Sequence, residues 1–292
     1  MNGSAAGTDG TEAQRSEVFA RGVLEGRVAL VTGGGTGLGK ASALELARCG
    51  ADVTIAGRRG DVLEQAAAAI AELLGEGTVD WVVSDVRERG DARRLVETVL
   101  ERRGQLDVLV NNAGGQFFSP AELIAAKGWR AVWRLNVEGM LNMSEAAFEL
   151  ALERAGAGTI VNVTLSPHNG MPGMAHSGSA RATVEALTRE LAQRWEHAGV
   201  TVSAVAAGHF DTEVLSKYPA SVRAGASRTV PLQRLGTVSE HAWLVALLAS
   251  PLGRAFGGST ITLDGARDNW CGPWPPPGLA DESGEVPTEE RR

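Results

Sequence analysis

The sequence predicts an α/β fold: a doubly wound parallel sheet of seven strands with helices on both faces. Short β-branched runs alternate with longer helical patterns through the middle of the chain, and several of these runs are apolar throughout. A strand without a polar face must be covered on both sides, as in parallel sheets. Between residues 25 and 265 there is neither an internal repeat nor a linker. We therefore expect one domain.

The elements are assigned in chain order. Strands are predicted at Val28–Thr32, Asp52–Ala56, Val79–Ser84, Val108–Asn111, Thr159–Thr164, Val200–Ala206 and Ser259–Leu263. Apolar residues at three- and four-residue spacing predict helices at Leu38–Cys49, Val62–Leu74, Asp91–Arg102, Trp129–Arg154 and Ser179–His197. Outside them we expect a disordered N-terminal tail over residues 1–22, a domain over 23–268 and a Pro- and acid-rich C-terminal tail over 269–292.

Composition narrows the function classes. The 28 basic and 35 acidic residues give a net charge of −7, which argues against nucleic acid or an anionic membrane as the main partner. The longest apolar runs, such as Ala242–Leu248, are far shorter than the roughly 20 residues that cross a bilayer. Cys49 and Cys271 are too few for a disulfide framework or a metal cluster. With no secretory signal or peroxisomal address visible, we expect a cytoplasmic protein without a metal.

A glycine-rich turn follows the first strand directly. Residues 32–39 are TGGGTGLG, so that Gly33, Gly37 and Gly39 have the spacing GxxxGxG just before a helix. Glycine there permits a tight turn and lets backbone N–H groups approach a pyrophosphate. This context predicts a Rossmann-type dinucleotide site, with Gly33, Thr36, Gly37, Leu38 and Gly39 among its contacts.

The end of the second strand predicts which dinucleotide binds. An acidic residue there would hold the ribose 2′-hydroxyl of NAD, but the chain has Ala56-Gly-Arg-Arg59 instead. Arg58 and Arg59 offer forked donors that suit a 2′-phosphate. We predict NADP(H) as the cofactor in preference to NAD(H).

Together with Asp85-Val86, Asn111-Asn-Ala-Gly114 and Asn136, these motifs resemble the short-chain dehydrogenase/reductase family over about residues 25–266. The resemblance implies that Asp85 contacts the adenine and that Asn136 supports a proton relay. It also implies cofactor contacts at Val86, Asn112, Ala113, Gly114 and Gly208, the last in Ala207-Gly208 where the family has Pro-Gly. Family members are usually homotetramers or homodimers, which would place the contact helix over residues 133–150.

The catalytic positions depart from the family pattern. Its Tyr-x-x-x-Lys pair aligns with Ser177 and Arg181, and its serine with Leu165 or Ser166. The chain's only tyrosine, Tyr218, lies in the later substrate loop. Serine is too weak an acid to protonate an alkoxide, and arginine does not release its proton. We therefore do not expect ketone reduction by the usual relay.

One branch of the family tolerates this change. The segments 111–120, 127–132 and 176–182 resemble the peroxisomal trans-2-enoyl-CoA reductases and, less closely, the 2,4-dienoyl-CoA reductases. Hydride attack at Cβ of an enoyl thioester places negative charge on the thioester oxygen, which needs hydrogen-bond donors rather than a phenol. We predict Ser177 as a donor, with Ser166 or a backbone N–H as the second, and Arg181 holding the nicotinamide ribose. The predicted partner is an acyl-CoA or acyl-carrier thioester.

Two other functions stay open from the sequence alone. The cofactor pocket could serve a redox-neutral tailoring reaction such as an isomerisation, or the chain could be a non-catalytic nucleotide-binding subunit. His168, His176 and His209 fall on loops near the expected pocket, where we interpret them as wall or surface residues rather than acids. Phe117 and Phe118 are equally compatible with a substrate wall and with the core.

Overall fold

The computed structural model describes residues 14–20, 22–74, 79–166, 168, 173–213, 215, 227 and 230–269. Tyr218, Cys271 and most of both predicted tails lie outside these residues. In the described part of the N-terminal segment, the Ser16 hydroxyl donates to the Glu45 carboxylate. Leu24 is buried in the same hydrophobic core as Leu46 of the first helix. The described chain therefore contacts the domain on both sides of residue 21.

Seven parallel strands form one sheet in the order β3-β2-β1-β4-β5-β6-β7. Their bounds are β1 Val28–Thr32, β2 Asp52–Gly57, β3 Val79–Val83, β4 Val108–Asn111, β5 Gly158–Leu165, β6 Val200–Ala207 and β7 Thr260–Leu263. Each predicted strand is confirmed to within one residue at either end. Because β1 pairs with both β2 and β4, the winding reverses there and leaves a crevice at the carboxyl ends of these strands.

The helices cover both faces of the sheet. They are α1 Gly37–Arg48, α2 Gly60–Leu74, α3 Arg89–Arg103, α4 Ala126–Trp133, α5 Gly139–Ala147, α6 Glu153–Ala155, α7 Ala175–Trp195 and α8 Val238–Ala249. Two π-helical turns, Arg134–Glu138 and Phe148–Leu152, join α4, α5 and α6. The helix predicted over Trp129–Arg154 is thus confirmed as one helical run that begins three residues earlier.

Helix α8 is absent from the sequence prediction, which considers the run Ala242–Leu248 only as a membrane segment. A capping box begins this helix: the Thr237 side chain accepts from Glu240 N, and the Glu240 carboxylate accepts from Thr237 N. Thr-x-x-Glu before an apolar run is a sequence-level start signal. In the part of the chain that the structure describes, no helix is long and apolar enough to cross a membrane.

Apolar side chains form one core on each face. One core packs α3, α5 and α7 against the sheet, and the other packs α1, α2 and α8. Cys49 lies fully buried in the second core. Burial, reinforced by the charge of Glu45, raises the pKa of its thiol to about 12, which accounts for an inert cysteine.

Candidate active site

A cleft of about 730 Å³ opens at the carboxyl ends of the strands. Every residue predicted to contact the cofactor lines it: Gly33, Thr36, Gly37, Leu38, Gly39, Arg58, Arg59, Asp85, Val86, Asn112, Ala113, Gly114, Arg181 and Gly208. The structure therefore brings together residues that are 175 positions apart at the extremes, Gly33 and Gly208. Their contacts with a cofactor stay a prediction.

The glycine-rich turn has a shape that only glycine permits. Gly33 and Gly37 have φ values of 65° and 53°, in the left-handed region. A Cβ atom at Gly39 would collide with Gly33 O and with the Asn112 amide. That amide donates to Thr32 O at 3.0 Å and to Gly33 O at 3.2 Å, which fixes the turn. Backbone N–H groups at the start of α1 are thus left open to a phosphate, so this end of the cleft fits a dinucleotide.

Two arginines lie at the end of β2. Arg58 and Arg59 line the cleft and are exposed, and neither side chain forms an ion pair or a hydrogen bond with another described residue. The nearby Asp85 is already paired, because Arg87 Nε donates to its carboxylate at 2.9 Å. This hydrogen bond lowers the pKa of Asp85, and the charge of Arg58 adds to the effect. Two cations therefore face the cleft beside an anion that Arg87 already neutralises.

Arg181 reaches the other end of the cleft from α7. Its Nη1 donates to Val163 O at 2.7 Å. A Cβ atom at Gly114 would collide with Arg181 Nη2 and would lie 2.8 Å from Asn136 Oδ1. Glycine at position 114 is therefore required for the guanidinium to pass close to the end of β4.

Asn136 is buried behind this arrangement. Its Nδ2 donates to Gly115 O at 2.9 Å and to Val132 O at 2.7 Å, while its Oδ1 accepts from Gly115 N at 3.2 Å. The amide thus holds the segment after β4 against α4 and does not line the cleft. The relay role implied by the family resemblance stays a prediction.

The Ser177 hydroxyl is fully buried and has no hydrogen-bond partner among the described residues. Met174 and Arg181, three residues before and four after it, both line the cleft. Arg181 lies one helical turn after Ser177 on α7, whereas Met174 is the residue just before this helix. Ser177 itself does not line the cleft. A buried hydroxyl without a partner is unfavourable by about 1–3 kcal/mol, so it is an available donor for a group that enters here.

Ser166 is in a different position. Its hydroxyl is buried and donates to the Asp264 carboxylate, and Ser166 is absent from the cleft wall while Leu165 lines it. Of the two residues aligned with the family's serine, Leu165 is thus the one facing the cleft. A donor role for Ser166 stays a prediction, and it would require the bond to Asp264 to break.

Two histidines near the cleft are held neutral. Burial, together with the charge of Arg267, lowers the pKa of His209, which lines the cleft. Burial also lowers the pKa of His176, whose ring lies 4.3 Å from that of Phe117 and 6.1 Å from that of Trp129. A histidine with a lowered pKa is not protonated at neutral pH, so neither is suited to be a general acid.

An apolar wall completes the cleft opposite the arginine pair. Phe117 and Phe118 line it with 41% and 36% of their surfaces exposed, so they belong to the wall and not to the core. Sequence reasoning missed several other lining residues, among them Thr164, Met174, Phe210 and Thr212. Thr212 lies 3.8 Å from where a Cβ of Gly37 would be, and its place four residues after Gly208 was the available signal.

Comparisons with known proteins agree with this geometry. The sequence profile described as Enoyl-(Acyl carrier protein) reductase matches residues 33–266. A probable 2,4-dienoyl-CoA reductase of Bacillus subtilis is 35% identical over 257 residues, which covers 86% of this chain and 100% of the relative. The peroxisomal 2,4-dienoyl-CoA reductase of Danio rerio is 33% identical over 262 residues, covering 88% and 87%.

A solved structure shows the same fold. The citronellol catabolism dehydrogenase of Pseudomonas aeruginosa PAO1 superposes with a TM-score of 0.77 at 39% identity, covering 86% of this chain and 98% of that one. This chain belongs to the short-chain dehydrogenase/reductase family and is an oxidoreductase of that family. The predicted family and fold are confirmed.

Proposed function

We propose that this protein is an NADPH-dependent reductase of a C=C bond conjugated to a thioester. One observation carries the proposal: Ser177, which the family resemblance aligns with the catalytic tyrosine, has a buried hydroxyl without a described partner, and Met174 and Arg181 on either side of it line the cleft. No tyrosine or lysine of the described residues lines the cleft. The relatives named above as dienoyl-CoA reductases support an unsaturated thioester as substrate.

The cleft is suited to hold the cofactor along its length. The glycine-rich turn and the start of α1 would bind the pyrophosphate, Asp85 and Val86 the adenine, and Arg181 the nicotinamide ribose. When bound, the nicotinamide supplies a hydride, which is two electrons and a hydrogen nucleus. Arg58 and Arg59 support NADPH over NADH, because both are free of described partners and suit a phosphate dianion.

The protein's own residues would stabilise the charge that forms on the substrate. Addition of hydride at Cβ breaks the C=C π bond and leaves an enolate whose charge lies on the thioester oxygen. Ser177 would donate a hydrogen bond to that oxygen, and the nearby Arg181 guanidinium supplies a positive field. A proton from water then adds at Cα, which completes the saturated thioester without a phenol.

The test is a comparison of two substrates with one chain length. Purified protein is incubated with NADPH and a trans-2-enoyl-CoA series, with the matching 3-oxoacyl-CoA series as the control. We expect NADPH absorbance to fall with the enoyl thioesters and not with the ketones. Turnover of the ketones alone, or of neither series, contradicts the proposal.

We further propose that the protein forms a homodimer or homotetramer through residues 133–150. Trp129 and Trp133, one helical turn apart on α4, are 36% and 40% exposed, which supports an apolar surface next to that helix. Light scattering measures the mass of the particle, and a monomer would contradict this assignment. The acyl carrier, CoA or a carrier protein, and a cytoplasmic location stay predictions.

A further inference from the structure

His168 lies just beyond β5 and contacts carboxylates from two other parts of the chain. Its Nε2 is 2.9 Å from Glu185 Oε1 on α7. Its Nδ1 is hydrogen-bonded to Asp268 Oδ2 in the turn after β7, and its backbone N donates to Asp268 Oδ1 at 2.6 Å. One side chain therefore joins β5, α7 and the turn after β7.

This geometry requires a charged ring. A neutral imidazole has one N–H donor and one nitrogen lone pair, whereas an ionised carboxylate only accepts hydrogen bonds. Only the imidazolium can donate to Glu185 and Asp268 at the same time. Burial opposes the charge, but the hydrogen bond to Asp268 and the charges of Glu185 and Asp268 outweigh it, so that the pKa of His168 is raised.

Both carboxylates lead on to the wall of the cleft. Glu185 Oε1 accepts from Thr164 Oγ1 at 3.2 Å, and Thr164 lines the cleft. On the other side, Asp268 N donates to Asp264 Oδ2 at 2.8 Å. Asp264 is packed so closely against Gly208, another lining residue, that a Cβ at position 208 would lie 2.5 Å from Asp264 Cβ. The contacts of His168 thus continue to the ends of both β5 and β6.

Other charged and polar groups surround His168 and its two carboxylate partners. Asp264 adds a second carboxylate from the turn after β7, and the same oxygen that binds Asp268 N accepts from Ser166 Oγ. Arg267, in that turn, acts on the pKa of His209. From β5 and α7, Thr164 and Glu185 supply side-chain groups to the described network, and the Arg181 guanidinium lies beside it, bound to Val163 O.

We propose that His168 is a positioning residue for the proposed reductase: its imidazolium ties α7 and the turn after β7 to the end of β5 and so holds the substrate side of the cleft in its active shape. The activity test of this inference rests on the proposed function. His168 acts through Thr164 and Asp264 and not on the reacting atoms. Because the charged form makes the ties, they are present below the raised pKa and lost as the pH rises through it.

The first experiment follows kcat and KM against pH for three proteins. We expect the wild type to lose kcat on an alkaline limb, and His168→Asn to have a kcat lower by about tenfold at neutral pH, since small misplacements of reacting groups slow catalysis strongly. The variant also lacks the limb. His197→Asn is the matched control, because His197 does not line the cleft: its Nδ1 lies 2.9 Å from the backbone Arg194 O and its ring is edge-on to Phe148. Unchanged kcat and an unchanged limb in His168→Asn overturn the proposal.

A second measurement does not depend on turnover. The chain has five histidines, so an NMR titration resolves their ring protons, and His168→Asn assigns one of them by its loss. We expect His168 to titrate above 6.5 in the wild type and lower in Glu185→Gln, which removes one of its two carboxylate charges. Titration at or below 6.5 overturns the inference even if enoyl thioesters are reduced.

Hydrogen exchange tests the positioning role of His168 even if no thioester is reduced. Absence of thioester reduction would contradict the proposed function and not the positioning role. We expect the amides near the end of β5 to exchange faster in His168→Asn than in the wild type, and at the wild-type rate in His197→Asn. Equal exchange rates in all three proteins would show that His168 does not hold the end of β5 in place.

Discussion

The two ends of the cleft are built differently. At the end predicted to bind the cofactor, the shape comes from the backbone: glycines with left-handed φ values, Gly39 packed directly against the Asn112 amide, and the first turn of α1. At the substrate end, the shape comes from side chains: the Arg181 guanidinium, the buried Ser177 hydroxyl and the apolar wall. A site shaped by the backbone tolerates few substitutions. In a site shaped by side chains, substitutions can change the chemistry while the fold is kept. We interpret the proposed replacement of the family's tyrosine and lysine by Ser177 and Arg181 as such an exchange.

The largest effect is expected from Ser177→Ala. Loss of one donor to a developing oxyanion slows catalysis by about 100- to 1000-fold, and we expect kcat to fall by that order. The free protein should be as stable as the wild type or more so, because the hydroxyl that is removed has no partner among the described residues. Enzyme kinetics and thermal unfolding measure the two quantities.

Ser203→Ala is the control for that variant. Ser203 Oγ is also buried without a described partner, but it lies on β6 away from the cleft wall. We expect this change to leave kcat unaltered. If Ser177→Ala keeps full activity, or Ser203→Ala loses as much of it, Ser177 is not the donor.

Gly39→Ala should break the backbone-built end. The new Cβ would collide with Gly33 O, which belongs to rigid backbone. Because overpacking is unfavourable by about 1–3 kcal/mol, we expect NADPH affinity to fall by about 100-fold in a calorimetric titration. Gly178→Ala, on the exposed side of α7 with nothing within 4 Å of the added atom, should bind NADPH normally. Equal binding by Gly39→Ala would contradict a phosphate site here.

The paired change Arg58→Ala and Arg59→Ala should alter cofactor choice. Hydrogen bonds to a charged group contribute about 1.5–3 kcal/mol, so we expect NADPH affinity to fall by about 10- to 100-fold while NADH affinity stays nearly constant. Arg254→Ala removes an exposed arginine outside the cleft and serves as the control. If the affinities for NADPH and NADH fall equally, Arg58 and Arg59 attract both dinucleotides by their charge and do not recognise the 2′-phosphate.

Substitution of His241 should have the smallest effect on activity. It should change the pH dependence of the free energy of unfolding instead. The His241 side chain, on α8, is fully buried with Nδ1 3.3 Å from Ser42 Oγ of α1, and burial lowers its pKa to about 4. As the pH falls, the unfolded chain binds this proton before the folded chain does. The contribution of His241 to the free energy of unfolding is therefore fully present above about pH 6.5 and falls by about 3 kcal/mol in all as the pH drops towards 4.

The measurement is urea unfolding at a series of pH values. His241→Leu should flatten this slope, leaving the smaller contributions of His176 and His209, whose pKa values burial also lowers. An unchanged slope would show that the imidazole is solvated in the folded protein. NADPH turnover at neutral pH should match the wild type.

The same contrast explains what the sequence could predict. The predicted cofactor contacts follow from local rules, because glycine spacing and strand ends determine where these residues lie. All of them, from Gly33 to Gly208, line the cleft. The substrate end depends on partners that sequence spacing does not show: Ser166 meets Asp264 across 98 positions and His168 meets Asp268 across 100. Helix α8 had a visible start at Thr237 and Glu240 and was missed only because its apolar run was weighed against membrane length.

The proposed reaction adds hydride to Cβ of a C=C bond and not to a carbonyl carbon. The most direct measurement supplies NADPH deuterated at both C4 positions to the enzyme with a trans-2-enoyl thioester and locates the label in the product by NMR. We predict one deuterium at Cβ of a saturated thioester, with hydrogen from water at Cα. Deuterium on a carbinol carbon, from a 3-oxo thioester supplied in its place, would contradict the account.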